Sequence, residues 1–536
     1  MKTRLRPALF IVLALAPFIA WLLWPLGDRR LQVHWNREQL ARKEAILAGV
    51  PRARGHRPNI VILLADDLGK TDLSLYGGMR QKTPHIDGLG REGVVFTAGY
   101  CTSPICAPSR ASLLTGRYQQ RSGFELQPMM RYPKNRLEYG VYKNFVIPRT
   151  GDWVVAPLAP VPVADEILKQ GLSPAELALP EILKASGYAT AGIGKWHLGY
   201  SEALAPQNRG FDHWYGCLEA FTLFAPVSDT NMVESRHAYF ADKHIWAQGR
   251  GGPSAIRTNG VLIDEKEYLT FAIAREARAF IRAHRADPFF LYVPFTAPHT
   301  PFQAPRAYVE RFAGEADPNR RVYLAMIAAL DDAVGSILAT IKEAGLDEDT
   351  LILFASDNGG AAYTGATDNA PLKGGKFTLF EGGVNVPYLL RWKGKLPPGR
   401  FEAPVLLPDF FATALAAAGI PLPTDRTYDG VDLLPHLTGR IAAPPHRAIY
   451  WRSLHNRAIR MDGWKLFIDG SGGKKLAYDL TTDASERASR AAEHPEVVRR
   501  LEAEFDAWEK GLMPPQWPRV MDYRVRFDDG EFSYAL

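Results

Sequence analysis

Eight side chains combine types and spacing that can do chemistry: Asp66, Asp67, Cys106, Lys195, His197, His299, Asp357 and Asn358. Seven of them follow apolar runs. Asp66 and Asp67 come after Asn59–Leu64, Lys195 and His197 after Thr190–Ile193, His299 after Phe289–Val293, and Asp357 and Asn358 after Leu351–Ala355. Asp66, Asp67, Asp357 and Asn358 offer oxygen donors only, the set a hard divalent cation prefers: calcium first, magnesium second. Zinc suits the set poorly, because no thiolate is needed and the histidines have another use. Three carboxylates gathered without a cation would repel and raise one another's pKa. Each group alone has a plainer reading. Asp66-Asp67 could cap a helix, and His299, between Pro298 and Pro301, could be a loop histidine. Their common place after buried strands is what argues for a site.

Cys106 opens the segment Cys106-Ala107-Pro108-Ser109-Arg110-Ala111-Ser112-Leu113-Leu114-Thr115-Gly116-Arg117. Pro108 suits the first turn of a helix, where its missing N–H costs little. Arg110 to Leu114 can continue that helix, which places Cys106 at an N-terminus where the dipole favours negative charge. A buried cysteine ahead of an ordinary helix is the alternative on these residues alone.

The elements that would carry these groups are strands and helices in alternation. Asn59–Leu64, Phe289–Val293, Leu351–Ala355 and Val386–Trp392 are apolar runs of strand length, suited to strands buried on both faces. Pro180–Ser186 is helix-like. In Val322–Leu346, Leu324, Ile327, Leu330, Val334, Ile337, Leu338 and Ile341 form one apolar stripe. The fold class expected is α/β: a large, mostly parallel sheet with helices on both faces and ligands beyond the carboxyl ends of its strands. After about residue 440 the pattern changes. Ala448–Arg452, Arg457–Met461, Trp464–Ile468 and Leu476–Leu480 read as short strands, followed by a helix near Pro495–Glu509. That predicts a small antiparallel sheet with a helix. The expected division is 1–33 leader or anchor, 34–58 linker, 59–440 catalytic domain and 441–536 C-terminal subdomain.

The Cys106 segment resembles the sulfatase signature C-x-P-S-R with its L-T-G-R tail. Other stretches agree. Asp66 and Asp67 resemble that family's first metal pair, and Gly194-Lys195-Trp196-His197-Leu198-Gly199 its G-K-W-H-L-G motif. Pro298-His299-Thr300-Pro301 resembles its second histidine motif, and Ser356-Asp357-Asn358-Gly359-Gly360 its second metal pair. Gly375-Lys376 before Leu379-Phe380-Glu381-Gly382-Gly383 resembles its lysine motif, and Trp464-Lys465-Leu466 with Tyr478-Asp479-Leu480 its C-terminal subdomain. The resemblance runs from about residue 57 to about residue 511. His85 stands where asparagine is common, and Phe377 where glycine is frequent. Segments 125–165, 225–262 and 512–536 match nothing.

The resemblance implies a sulfuric ester hydrolase in which Cys106 is oxidised by a formylglycine-generating enzyme. The hydrated formylglycine is the nucleophile and, with Asp66, Asp67, Asp357 and Asn358, a ligand of the metal. It further implies that Arg110 steadies the nucleophile and that Lys195 and Lys376 neutralise the sulfuryl oxygens. His299, with Lys376, protonates the leaving alcohol, and His197 takes the proton that releases sulfate. The nearest rival is a phosphonate or phosphate ester hydrolase of the same superfamily. A rival of another class is a non-catalytic carbohydrate-binding relative.

Composition agrees with an exported globular enzyme. The 536 residues are 46% hydrophobic and 23% charged, with net charge +6 and pI near 9.0. That balance suits an anionic substrate but lacks the charge concentration of a nucleic-acid binder, so no nucleic-acid partner is expected. Lys2, Arg4 and Arg6 precede the uncharged stretch Ala8–Leu26, about the length that spans a bilayer. Ala14-Leu15-Ala16 resembles a cleavage site, but Pro17 obstructs it. An uncleaved membrane anchor is expected, with a cleaved signal peptide as the alternative; either places the body outside the cytoplasm. If Cys106 is consumed chemically, Cys101 and Cys217 remain as a candidate disulfide pair. An exported sulfatase is expected to act on sulfated polysaccharide or oligosaccharide, with aryl sulfates as surrogates. Trp153, Trp214, Trp246 and Arg250 could line a sugar-binding mouth or could be packing residues.

Overall fold

The computed structural model describes residues 15–52, 57–78, 82–147, 152–236 and 240–536, the last without the side chains of 240 and 241. The basic residues 2, 4 and 6 and the first half of the 8–26 stretch lie outside the described residues. Residues 15–23 are helical, and Leu15, Phe18, Ile19, Trp21 and Trp24 are exposed.

A ten-stranded sheet forms the centre. Its five middle strands, His213–Cys217, Ala189–Lys195, Phe289–Pro294, Asn59–Ala65 and Thr350–Ser356, are parallel neighbours in that order. Phe289–Pro294, Asn59–Ala65 and Thr350–Ser356 are buried along their whole length, and their largely apolar runs suit strands covered on both faces. Ile60, Ile62 and Leu64 enter one core, and Val61, Leu63 and Ala65 enter the other. Helices Cys106–Thr115, Leu179–Ala185 and Asp409–Ala417 cover the first face, and Pro84–Arg91, Leu269–Ala283 and Pro318–Glu343 the second. The stripe read in 322–346 belongs to Pro318–Glu343, which starts earlier because Asp317 caps it by accepting from the Asn319 and Arg320 amides. That helix is long and apolar enough to cross a membrane, yet 72% of its apolar window is buried, as in a core helix. The Val386–Trp392 run gives a shorter strand, Tyr388–Arg391, that pairs antiparallel with Thr350–Ser356.

Beyond the main sheet, Ala448–Ser453, Asn456–Met461, Trp464–Ile468 and Lys475–Asp479 form an antiparallel sheet. Helix Pro495–Glu509 packs on it through Val498, Leu501 and Phe505. The chain end does not join this sheet. Met521–Phe527 and Gly530–Ala535 make a hairpin whose first strand, Met521–Phe527, also pairs with Trp153–Val155.

The candidate Cys101–Cys217 disulfide is absent. All three cysteines are free and buried, and Cys101 Sγ lies 3.4 Å from the Val384 carbonyl. Trp214 also departs from the mouth reading: it is 1% exposed and packs in the core against Trp196 and Phe211.

Candidate active site

Strand register does much of the positioning. Ala65 pairs with Ser356, so Asp66 and Asp357 leave adjacent strands side by side, tied by the Asp357 amide donating to the Ala65 carbonyl at 3.1 Å. The Asp66 amide donates to Ala297 O, which brings the His299 loop to the same edge. Ala189–Lys195 ends one strand further along. Gly194 within it has φ +140, and a Cβ there would lie 1.9 Å from Pro294 O, so no side chain fits. The Phe377 amide donates to Pro104 O at 2.9 Å, which ties the Lys376 loop to the approach to Cys106.

These connections bring ten side chains into one buried cluster. Cys106, the first residue of its helix, has Sγ 3.3 Å from Asp66 Oδ1 and 3.8 Å from Asp67 Oδ1. Lys195 Nζ lies 2.6 Å from Asp66 Oδ2, and Lys376 Nζ 2.8 Å from Asp67 Oδ2. Arg110 donates through Nε to Asp357 Oδ2 at 2.8 Å and through Nη1 to Lys195 O at 3.1 Å. Asn358 Nδ2 donates to Asp67 Oδ1 at 2.8 Å. His299 Nε2 is 3.5 Å from Asp67 Oδ2, with Nδ1 2.5 Å from Thr300 O. His197 is buried, and its Nδ1 has no partner among the described residues. Asp67 and His197 hold positive φ (63° and 57°), as does Phe377 (77°), the residue standing where glycine is frequent. Non-glycine residues held there are strained, and such strain clusters at functional sites.

The electrostatics are those of paired charges out of water. Burial raises the Cys106 thiol well above its ordinary pKa, outweighing Lys195 and Lys376. It is protonated at neutral pH and a poor nucleophile as it stands. Burial pushes Asp66 up, but Lys195, His299 and Arg110 together hold it well below the carboxylate range. Asp357 goes the other way, to about 7, through burial and then Asp66 beside it. Burial and Lys376 lower His299 to about 4, and burial with Lys195 and Arg110 lowers His197 well below its ordinary value. Burial lowers the Lys376 ammonium, but Asp67, Cys106, Tyr363 and Asp66 together more than reverse this and hold it well above its usual pKa.

The donor set fits a hard cation. Asp66, Asp67, Cys106 and His299 offer ligand atoms within 4.8 Å of one another. Asn358 Oδ1 is a buried oxygen without a hydrogen-bond partner among the described residues, costly unless something positive approaches it. Mutual repulsion of the carboxylates is a weaker argument for an ion than the sequence suggests. Each already has a cationic neighbour: Asp66 has Lys195, Asp67 has Lys376 and Asp357 has Arg110.

The family model for sulfatases matches residues 58–420. The chain belongs to the sulfatase family. It is a sulfuric ester hydrolase. It is 34% identical to the N-acetylgalactosamine-6-sulfatase of Canis lupus familiaris over 73% of this chain and 67% of that one. It is 32% identical to the steryl-sulfatase of Mus musculus, over 88% and 85%. Among solved structures, Ps i-CgsB in complex with k-i-k-neocarrahexaose has a TM-score of 0.69 and 30% identity, covering 86% of this chain and 95% of that one.

The sulfatase's cluster opens into a cleft of about 560 Å³ that reaches His197, His299 and Lys376. One wall is aromatic: Trp153 packs within 5.5 Å of Tyr363, Phe377 and Tyr523, which joins the final hairpin to the Lys376 loop. Of the four residues considered for the mouth, only Trp153 lines this cleft. Trp246 is bound to Asp242 and lies under Arg236, while Arg250 is spent on backbone carbonyls of Leu223 and Phe224. Sequence reading missed Tyr200 and Glu219, which also line the cleft, with the Tyr200 hydroxyl 2.8 Å from Glu219 Oε1. Both had a signal. Tyr200 directly follows the G-K-W-H-L-G motif, and Glu219 follows the short strand His213–Cys217 as Asp66 follows its own.

Proposed function

We propose that this sulfatase cleaves sulfate esters of carbohydrates, with Cys106 matured to formylglycine and calcium at the carboxylate cluster. The observation that carries this reading is the placing of Cys106 Sγ within 4 Å of two carboxylates at a helix N-terminus, with Lys195 and Lys376 beside them. Relatives named N-acetylgalactosamine-6-sulfatase and a neighbour in complex with k-i-k-neocarrahexaose support the sugar.

Formylglycine, made when the formylglycine-generating enzyme replaces the thiol by an aldehyde, would supply a hydrated nucleophile with a second hydroxyl as internal exit. Asp66, Asp67, Asp357, Asn358 and the side chain at 106 would hold the cation, which supplies Lewis acidity toward the sulfuryl oxygens. The chain's own residues do the rest. Lys195 and Lys376, both buried, are preorganised donors for an anion whose charge shifts during cleavage. Arg110 fixes the floor by holding Asp357 and the Lys195 carbonyl together. His299 faces the cleft beside Lys376; neutral near pH 7 with its pKa lowered to about 4, it would donate to a leaving alcohol only when a bound anion's charge raises that pKa, with Lys376 as its partner in the role. His197, whose Nδ1 has no partner among the described residues, would take the proton that frees sulfate. The working site is outside the cytoplasm, and the 8–26 segment anchors the chain in a membrane.

Matched aryl sulfates and aryl phosphates test the reaction class. Sulfate release is expected to dominate and to vanish in Cys106→Ser; dominant phosphate release, retained in that variant, overturns the proposal.

A further inference from the structure

We infer that the outer face of the helix Arg136–Val141 and its π-helical continuation Tyr142–Val146 rests in the surface of a lipid bilayer, so that the catalytic cleft opens beside the membrane. This rests on reading the 8–26 segment as an anchor and goes beyond it, because it places the catalytic body itself in contact with lipid.

Apolar exposure is concentrated on one part of the molecule. Twelve of the twenty exposed large hydrophobic side chains among the described residues fall in 15–24, 130–146 and at Leu158. Soluble proteins rarely leave such patches uncovered. Within 136–146 the pattern is helical: Leu137 (49% exposed), Val141 (41%) and Phe145 (64%) recur every fourth residue. Tyr139 and Tyr142, on the opposite side, pack against the core. Inward packing is therefore already satisfied, and the exposed stripe is a second apolar face.

The neighbour of that stripe indicates its cover. The uncharged N-terminal segment is fastened to the start of this helix. The Leu26 amide donates to Lys134 O at 3.0 Å, Pro25 bridges to Asn135, and the Arg136 guanidinium lies 4.9 Å over the Trp21 ring. Leu26, Tyr139 and Leu158 line one shared groove, so the three segments are contiguous. If residues 8–26 enter a bilayer, the face docked at their exit meets its surface. The composition suits that level. Phe18, Trp21, Trp24 and Phe145 are exposed aromatics of the kind enriched at membrane interfaces. Arg29, Arg30, Arg131, Lys134 and Lys143 are exposed around them, and of the nearby acids Asp28 pairs with Arg30 and Glu138 with Arg131. An apolar stripe fringed by cations fits an anionic lipid surface better than a second protein copy carrying the same charge.

The placement bears on the site because Met129, Met130, Arg131 and Lys134, which lead into the helix, also line the cleft. Its rim would then lie near the headgroups, open to sulfate esters carried at or beside the membrane.

The test uses the full chain reconstituted into phosphatidylcholine vesicles containing phosphatidylglycerol. Phe145→Cys and, separately, Val141→Cys carry an environment-sensitive nitrobenzoxadiazole label; Val261→Cys, at a similarly exposed apolar position on the sheet edge (68%), is the control. Lipids bearing a doxyl quencher near the headgroup are expected to quench positions 141 and 145 several-fold more than 261. Equal, weak quenching at all three overturns the inference while leaving the anchor intact. Shielding of 145 from both lipid and aqueous quenchers also overturns it, in favour of a contact between copies. Failure of the protein to float with vesicles overturns the anchor reading and the inference together, whereas the sulfatase reaction is followed independently by sulfate release.

Discussion

At the residue scale, the cluster around Cys106 balances three carboxylates against three cations, all buried at the floor of the cleft. In a medium of low dielectric neither set is stable alone. Their pairing explains how Asp66, Asp67 and Asp357 can remain buried at the end of hydrophobic strands. His299 is the residue whose part is most open to measurement. If it protonates the leaving alcohol, His299→Ala lowers kcat by ~10²–10⁴ on alkyl or sugar sulfates. The loss shrinks for nitrophenyl sulfate, whose leaving group needs no proton. An equal loss on both substrates contradicts that role. Residue types were the most legible feature of the sequence, since all ten expected side chains meet at one place. Backbone states were not. Asp67, His197 and Phe377 sit at positive φ, and of the three only Phe377, standing where glycine is frequent, carried a local signal of it.

At the element scale, the helix Asp409–Ala417 shows how the catalytic body grips the C-terminal part of the chain. Its first residue, Asp409, is buried and accepts from the Leu406 and Val431 amides and from His446 Nε2 at 2.9 Å. Burial lowers the His446 pKa, but Asp409 more than reverses this, so the net direction is upward. A histidine whose folded pKa is raised adds stability that is fully present below its unfolded pKa, near 6.5. That stability is lost as pH rises through the folded value. His446→Gln should therefore cost ~2 kcal/mol near pH 6 and distinctly less near pH 9, read by denaturant unfolding at both. A cost that stays level or grows with pH contradicts the assignment. Elements with their own periodicity were readable in advance: Pro318–Glu343 by its stripe, Pro495–Glu509 by its apolar side, and the buried strands by their length. The antiparallel sense of Tyr388–Arg391 was not, because a run buried on both faces looks the same in either direction.

At the scale of the whole molecule, the site is assembled from segments between residues 66 and 376 and walled by the C-terminal hairpin. Met521 and Leu536 line the cleft, and Tyr523 joins the aromatic wall. This closing role of 512–536 was illegible in the sequence, since the hairpin's partner, Trp153–Val155, lies hundreds of residues away and register between distant strands leaves no local pattern. Trp214 misled for a related reason: a tryptophan in a short strand reads alike whether it faces a cleft or a core. A bound cation should tighten this assembly. Chelation is expected to abolish activity and lower Tm, and calcium at about a hundred times its Kd should restore ~3 kcal/mol. Unchanged Tm and activity after exhaustive chelation contradict the ligand set.

The proposed chemistry turns on the state of one side chain. Mass spectrometry of the proteolytic peptide containing position 106, from protein co-expressed with a formylglycine-generating enzyme, reads it directly. The –CH2SH of cysteine is expected to be replaced by –CHO, in a fraction that scales with specific activity toward a sulfate ester. Fully active protein whose position 106 carries only the thiol contradicts the proposed chemistry.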